Sequence, residues 1–215
     1  MEGGNPKAGP GRQAAMSESY DKKYATQELF WGKHPSTLAR IFFERHLPDG
    51  PERMLDAGCG EGRDTVFFAQ AGYRVTAFDD SPAGVRKARE RADSLGLQVH
   101  VFQADVNEFR LDGPYDFIMA NGIFHYVRPA LRGEVISNYK EFTRPGGLHA
   151  VLVPVHKPFI VTDPEADAEE QSWRSGEILT HYHDWRIEFF EERIEDETPD
   201  YQFAINLMIA AKPPA

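Results

Sequence analysis

A decapeptide with glycine at alternate positions is the part of this sequence best suited to hold a ligand. Residues 55–64 read LDAGCGEGRD, with Gly58, Gly60 and Gly62 two apart and Asp56 just before them. Glycine lets the backbone turn sharply and lets a ligand approach the main chain, and a following helix aims its first N–H groups at an anionic group. The stretch therefore predicts a ligand-binding loop between a strand and a helix.

The spacing separates this loop from two common glycine-rich motifs. A phosphate-binding loop needs Gly-Lys-Ser/Thr, and neither lysine nor a hydroxyl residue follows Gly62 directly. A dinucleotide fingerprint needs GxGxxG, and Arg63 stands where its third glycine belongs. A glycine-rich turn that binds nothing is the remaining structural alternative.

Acidic and amide side chains follow three further apolar segments. Asp79 ends YRVTAFD, Asp105 and Val106 end QVHVFQADV, and Asn121 ends YDFIMAN. If these segments are parallel strands, their carboxyl ends meet at one edge of a sheet, where open α/β folds bind ligands. We therefore expect the three segment ends and the glycine loop to form one crevice.

The hydrophobic pattern predicts the elements that position these residues. Helical spacing covers 36–47, 64–72, 81–96 and 129–147, and a short helix with irregular flanks is expected within 169–185. Strands are predicted at 53–57, 73–81, 98–106, 115–121 and 148–155, with a hairpin of 186–196 and 201–212 joined by TPD. This alternation predicts an α/β, doubly wound, seven-stranded and mostly parallel sheet with a C-terminal antiparallel hairpin.

Composition and charge restrict the classes of partner. The chain has 215 residues with a formal net charge of −10, which repels nucleic acid and anionic membrane surfaces. We expect a small-molecule partner, a cytoplasmic location, and a monomer or homodimer. Residues 1–16 are predicted to be a flexible extension, and residues 17–215 a single domain. The lone Cys59 excludes an internal disulfide.

The loop and the next strand end together resemble a known family. Asp56 opens a D-x-G-x-G-x-G pattern and Asp79 follows 23 residues later. This resembles the first two motifs of the class I S-adenosylmethionine-dependent methyltransferases, which have a Rossmann-like fold, and the resemblance covers about residues 20–211. It implies S-adenosyl-L-methionine as cofactor, with Asp56 near its ammonium group and Asp79 on both ribose hydroxyls. It also implies Gly58 and Gly60 beside the methionyl and ribose parts, Asp105 and Val106 at the adenine, and Asn121 at the methionine. Gly62 and Arg63 of the same loop complete the implied cofactor-binding residues.

Three further stretches narrow the resemblance. YDKKY…FWGKHPS, GEGRDTVFFAQAGYRVTAFDDS and SWRSGEILTHYHDW are similar to the tellurite-resistance methyltransferase (TehB) group. That resemblance implies methyl transfer to a small thiol or to a selenium or tellurium species. The alternatives are an oxygen or nitrogen methyltransferase of natural-product metabolism, a catalytically silent cofactor-binding module, and, more distantly, a nicotinamide oxidoreductase.

Each residue that is a candidate to contact the methyl acceptor could instead have a purely structural role. His125 is the candidate proton acceptor or substrate contact, or else a half-buried loop histidine; Tyr126 beside it is a substrate contact or a packing residue. Arg174 is a candidate anion contact or a surface arginine. Trp31 and His34 belong to a predicted N-terminal lid, about residues 20–48, in which Trp31 is otherwise a core residue. His181 is a further candidate substrate contact. It lies two residues from His183 without a matching ligand cluster, so no metal site is predicted.

Overall fold

The structure is a computed structural model, and it describes residues 20–26, 28–160, 173–196 and 202–215. Residues 20–24 are helical. The further helices and strands, in chain order, are α1 (Thr37–Arg45), β1 (Arg53–Ala57), α2 (Arg63–Gln70), β2 (Arg74–Asp79), α3 (Pro82–Ser94), β3 (His100–Gln103), β4 (Tyr115–Asn121), α4 (Arg132–Glu141), β5 (Thr143–His156), β6 (Trp173–Arg174), α5 (Glu177–Thr180), β7 (Arg186–Asp196) and β8 (Gln202–Ala211).

The strands form one sheet in the order β3-β2-β1-β4-β5-β8-β7. The first five strands in that order are parallel, and β8 pairs antiparallel with both β5 and β7. The two-residue β6 adds an eighth strand beside the end of β5. The predicted mostly parallel sheet with an antiparallel C-terminal hairpin is confirmed. The chain order reverses between β1 and β4, which places the ligand crevice of such a fold at their carboxyl ends.

Apolar side chains of the sheet alternate between two buried clusters, one on each face. Phe117 and Met119 of β4 join the cluster that includes Phe42 of α1, and the rings of Phe42 and Phe117 stack at 3.7 Å between centroids. Ile118 and Ala120 of β4 join the other cluster, with residues of α4 and β8. Both faces of the parallel strands are therefore covered, which holds the strand ends rigidly in place.

Two of the predicted helix starts have the expected caps. The Ser36 Oγ accepts a hydrogen bond from Ala39 N at the start of α1, and the Ser81 Oγ accepts one from Gly84 N at the start of α3. Pro82 occupies the first turn of α3, where its missing N–H costs nothing. None of the helices in the described ranges is long and apolar enough to cross a membrane.

The predicted helix at 129–147 was wrong in its last six residues. The helix α4 ends at Glu141, and β5 begins at Thr143 and runs through Pro-Gly-Gly. The register between β4 and β5 shifts there, and Gly146 has φ of +78°. The tripeptide is thus an irregularity inside a strand, because Tyr115 N already donates to Phe142 O ahead of it.

Other element boundaries differ more modestly. The third strand is only His100–Gln103, so Asp105 and Val106 lie in the loop that follows it. The short helix expected within 169–185 spans Glu177–Thr180. The predicted extension 1–16 and the TPD turn lie outside the described residues.

Candidate functional site

The end of β2 is tied to the glycine loop at the end of β1. The Asp79 carboxylate accepts hydrogen bonds from Gly60 N at 2.8 Å and from Ser81 N at 3.0 Å. Burial raises the pKa of Asp79 to about 6, although those two N–H groups act in the opposite direction. Each carboxylate oxygen has two lone pairs, so the group retains the capacity to accept further hydrogen bonds.

Asp56 is a second acid at the same edge of the sheet. It lies in β1, is almost fully buried, and accepts a hydrogen bond of 2.6 Å from the Thr65 hydroxyl. Burial, and next the negative charge of Asp64, raise the pKa of Asp56 to about 7. The carboxyl is therefore poised to lose its proton when a cation approaches, as the predicted ammonium contact requires.

The three glycines of the loop all have positive φ values, of 71°, 53° and 76° in chain order. A Cβ on Gly58 would lie 2.7 Å from the Ile123 side chain, and one on Gly60 would lie 2.9 Å from the Tyr24 hydroxyl. A Cβ on Gly62 would lie 2.8 Å from the Ala88 Cβ of α3. Gly62 is thus needed for the packing of α2 on α3, which its predicted cofactor contact did not foresee.

The loop after β3 is held by a residue that sequence reasoning missed. Asn107 is buried; its Nδ2 donates to Asp105 Oδ1 at 3.1 Å and to Tyr126 O at 3.2 Å. Its Oδ1 accepts from Arg128 N at 2.9 Å. Val106 is also buried. Asn107 therefore fixes the predicted adenine-binding pair against the segment that carries His125 and Tyr126.

Asn121 lies at the end of β4, and its side chain bonds Asp64 rather than standing free. The Asn121 Nδ2 donates to Asp64 Oδ2 at 3.0 Å, and Ser36 N donates to Asp64 Oδ1 at 2.7 Å. Asp64 was not among the predicted site residues. Its position directly after the glycine loop, in the first turn of α2, was the available signal.

The aromatic rings of Tyr20, Tyr24 and Trp31 form one group, and those of Tyr24 and Trp31 border Gly60 of the glycine loop. Tyr20 lies 5.4 Å from Tyr24, 6.5 Å from Trp31 and 6.1 Å from Tyr126, measured between ring centroids. The Trp31 Nε1 donates to the Tyr24 hydroxyl at 2.8 Å. The structure therefore brings Trp31 and Tyr126 to the same group of rings, whereas His34 is exposed.

His125 lies in a short 3₁₀ turn after β4, with its ring 4.0 Å from that of Tyr126. It is buried more deeply than expected. Burial, and next the positive charge of Arg132, lower the pKa of His125 to about 3. The imidazole is therefore neutral near pH 7 and a weak proton acceptor.

The two acceptor-side candidates from the C-terminal part lie around β6 and α5. Arg174 is exposed in β6, and its main-chain N–H donates to the Glu177 carboxylate. The His181 ring packs 5.6 Å from Trp173, and burial lowers its pKa. In the described part of the chain, no three His, Cys, Asp or Glu side chains are grouped to hold a metal.

Comparisons with known proteins identify the family of this chain. The family model described as tellurite resistance protein TehB matches residues 48–202. The chain is 30% identical over 175 residues to hemagglutinin 1 of Eikenella corrodens, covering 78% of this chain and 55% of that protein. It is 28% identical over 151 residues to a probable S-adenosyl-L-methionine-dependent methyltransferase TehB of Haemophilus influenzae, covering 67% and 49%.

A solved structure shows the same fold. The crystal structure of TehB from Haemophilus influenzae superposes with a TM-score of 0.73 at 22% identity, covering 91% of this chain and 66% of that one. The chain spans about half the length of the curated relatives it matches. The predicted family is confirmed by the matched model: the chain belongs to the TehB family.

Proposed function

We propose that this protein is an S-adenosyl-L-methionine-dependent methyltransferase that methylates a small thiol or a selenium or tellurium species. Membership of the TehB family and the relatives named as methyltransferases support the class of activity. Bound at the carboxyl ends of the parallel strands, S-adenosyl-L-methionine would supply an electrophilic methyl group.

The residues at this edge fit the chemical groups of that cofactor. Asp79 has spare lone pairs for two ribose hydroxyls, and Asp56 is a buried carboxyl that an ammonium group would stabilise in its charged form. Gly58 and Gly60 bring the backbone close to the crevice with positive φ values. We place the adenine against Asp105 and Val106, and the methionine near Asn121 and Arg63.

The burial of His125 near the positive charge of Arg132, which disfavours a protonated imidazole, is the observation that carries the choice of acceptor. A phenol or protonated amine must lose its proton for methyl transfer, and a neutral imidazole with a pKa of about 3 takes up that proton poorly near pH 7. A thiolate, selenide or telluride arrives with its lone pair available. We therefore propose His125 as a neutral contact beside Tyr126, and positioning as the main source of rate acceleration.

The test is production of S-adenosylhomocysteine with thiols, selenite, tellurite, carboxylates, phenols and amines, and with Asp79→Ala as the background control. Turnover with thiols, selenite or tellurite, retained in His125→Gln, supports the proposal. Turnover restricted to phenols or amines, and lost in His125→Gln, would instead support the oxygen or nitrogen methyltransferase. Turnover restricted to carboxylates would contradict the soft acceptor, and cofactor binding without turnover would favour the silent module.

The remaining expectations are part of the same proposal. Trp31, Tyr126, Arg174 and His181 are proposed to border the acceptor, and His34 to belong to the lid. A cytoplasmic location and a monomeric or homodimeric state can be tested by cell fractionation and by light scattering.

A further inference from the structure

Residues 28–36, which we call the cover segment, are held by charged side chains from the second half of the glycine loop and from α3. Trp31 N donates to Glu61 Oε2 at 3.3 Å, and Arg63 Nη1 donates to Trp31 O at 3.3 Å. Ser36 N donates to Asp64 Oδ1 at 2.7 Å. Three residues of the loop thus bond the main chain of the cover segment.

Glu61 is the most deeply buried of these contacts. Its side chain is 1% exposed and forms an ion pair of 2.7 Å with Lys87 Nζ. Lys87 Nζ also donates to Glu28 O at 2.8 Å. A buried carboxylate needs a paired cation to avoid a large desolvation cost, so Glu61 and Lys87 form one unit that bonds the cover segment at two points.

A further cation of α3 extends the same contact. Arg91 Nη2 donates to Lys33 O at 2.7 Å. Lys87 and Arg91 are four residues apart and so lie on one face of the helix, toward the cover segment. These bonds go to main-chain atoms, so they fix the path of the segment whatever its side chains are.

The other side of the loop faces the proposed cofactor site. Gly60 N bonds Asp79, and the space beside Gly60 is bordered by the Tyr24 hydroxyl, which in turn bonds Trp31. Gly60, which faces the proposed cofactor site, and Glu61, which bonds the cover segment, are therefore adjacent residues of one loop.

We propose that Glu61, with Lys87 as its counter-ion, is a positioning residue that latches the cover segment over the cofactor loop and so slows dissociation of the cofactor. The proposal rests on the cofactor site inferred above. Glu61 takes no part in the chemistry. Opening of the Glu61–Lys87 pair would release Glu28 and Trp31 together and expose the loop to solvent.

The test compares Lys87→Met with Arg86→Met, a neighbouring cation on α3 whose pair with Glu90 is exposed. Trp31 is 44% exposed, whereas Trp173 and Trp185 are 0% and 7% exposed, so Trp31 dominates the acrylamide-accessible emission. The Trp31→Phe variant supplies the background. Calorimetry measures the dissociation constants of S-adenosyl-L-methionine and S-adenosylhomocysteine, and stopped-flow mixing measures their dissociation rates.

In Lys87→Met we expect the quenching of Trp31 to rise about twofold and both dissociation constants to rise about tenfold, mainly through faster dissociation. Arg86→Met should behave like the unaltered protein. If Lys87→Met folds poorly, the double variant Glu61→Gln with Lys87→Met removes both charges, keeps an oxygen for Trp31 N, and should still raise the dissociation rate.

The outcomes separate this proposal from the proposed cofactor site. Unchanged quenching and affinity in Lys87→Met, with binding abolished in Asp79→Ala, would overturn the latch alone. Unchanged affinity in both variants would overturn the cofactor site itself. Weaker binding in Asp79→Ala without a change in Trp31 quenching, beside both changes in Lys87→Met, is the result expected if both are right.

Discussion

The two halves of the glycine loop differ in what they contact. Residues 56–60 bond within the sheet edge: Gly60 reaches Asp79, and Gly58 N donates to Phe78 O. Residues 61–64 instead bond the main chain of the cover segment, through Glu61, Arg63 and Asp64. One continuous motif thus serves two structural purposes, and the regular glycine spacing conceals the boundary between them.

The acids that the two halves contain or contact also differ in whether a cation of the protein neutralises them. Among the residues that the structure describes, Asp56 and Asp79 form no ion pair, and burial raises both pKa values. Glu61 is as deeply buried as Asp56 but is paired with Lys87. The first half therefore gains stability from a ligand that brings a cation or hydroxyl groups, while the second half is already satisfied by the protein.

The largest effect should come from removing Asp79, the acid that the first half of the loop contacts through Gly60. Asp79→Ala takes away the acceptor for both ribose hydroxyls, so the dissociation constant of S-adenosyl-L-methionine should rise about a thousandfold, or roughly 4 kcal/mol. Calorimetry measures it. An affinity within a few fold of that of the unaltered protein would place the ribose elsewhere.

The next largest effect should come from Gly62, through stability. Gly62→Ala puts a Cβ at 2.8 Å from Ala88 and adds a side chain at φ of 76°, so urea unfolding should show a loss of about 3 kcal/mol. Gly96→Ala is the matched control, with φ of 67° and no atom within 4 Å. Equal losses in the two variants would mean that contact with α3 is unimportant.

The substitution Asp64→Asn tests the second half of the loop and should have a smaller effect on stability. Asp64→Asn leaves one oxygen to face two donors, Ser36 N and Asn121 Nδ2, so one of them loses its partner. The free energy of unfolding should fall by about 2 kcal/mol, and the quenching of Trp31 should rise. Asp93→Asn, an exposed change on α3, should alter neither measurement.

Lowering the pH should act on Asp79, which the first half of the loop contacts through Gly60. Because the pKa of Asp79 is about 6, well above its ordinary value, the carboxyl takes up a proton as the pH falls through 6. The protonated form favours the folded protein without cofactor but accepts fewer hydrogen bonds from ribose. Protonation of Asp79 should therefore weaken cofactor affinity by up to about tenfold between pH 7.5 and pH 5, in addition to the loss from protonation of Asp56. Asp79→Asn should remove that part of the pH dependence.

Much of the fold could be predicted because its signals are local. The apolar run of β1, the caps Ser36 and Ser81, and the acid that ends β2 all stand in short stretches of sequence. Pro-Gly-Gly gave the wrong boundary for the same reason: it is typical of a helix end, and the pairing of Tyr115 with Thr143 that places it in a strand is formed across 28 residues.

Only the proposed cofactor half of the site had a signal in the sequence. Asp79 was proposed because family motifs fix its distance from the glycines, whereas Glu61 and Asn107 act through partners that no local pattern indicates. The hydrogen bond from Trp31 to Glu61 spans 30 residues, and the burial of His125 depends on packing of the whole sheet. Both become visible only when the chain is folded.

The most direct test of the division within the loop is a single titration with S-adenosyl-L-methionine. The heat of binding and the quenching of Trp31 emission by acrylamide are both measured along it. We predict saturable binding of one cofactor per chain, with protection of Trp31 at the same midpoint, because the bound cofactor and the closed cover segment share one loop. Saturable heat without any protection of Trp31, or no binding at all, would contradict that division.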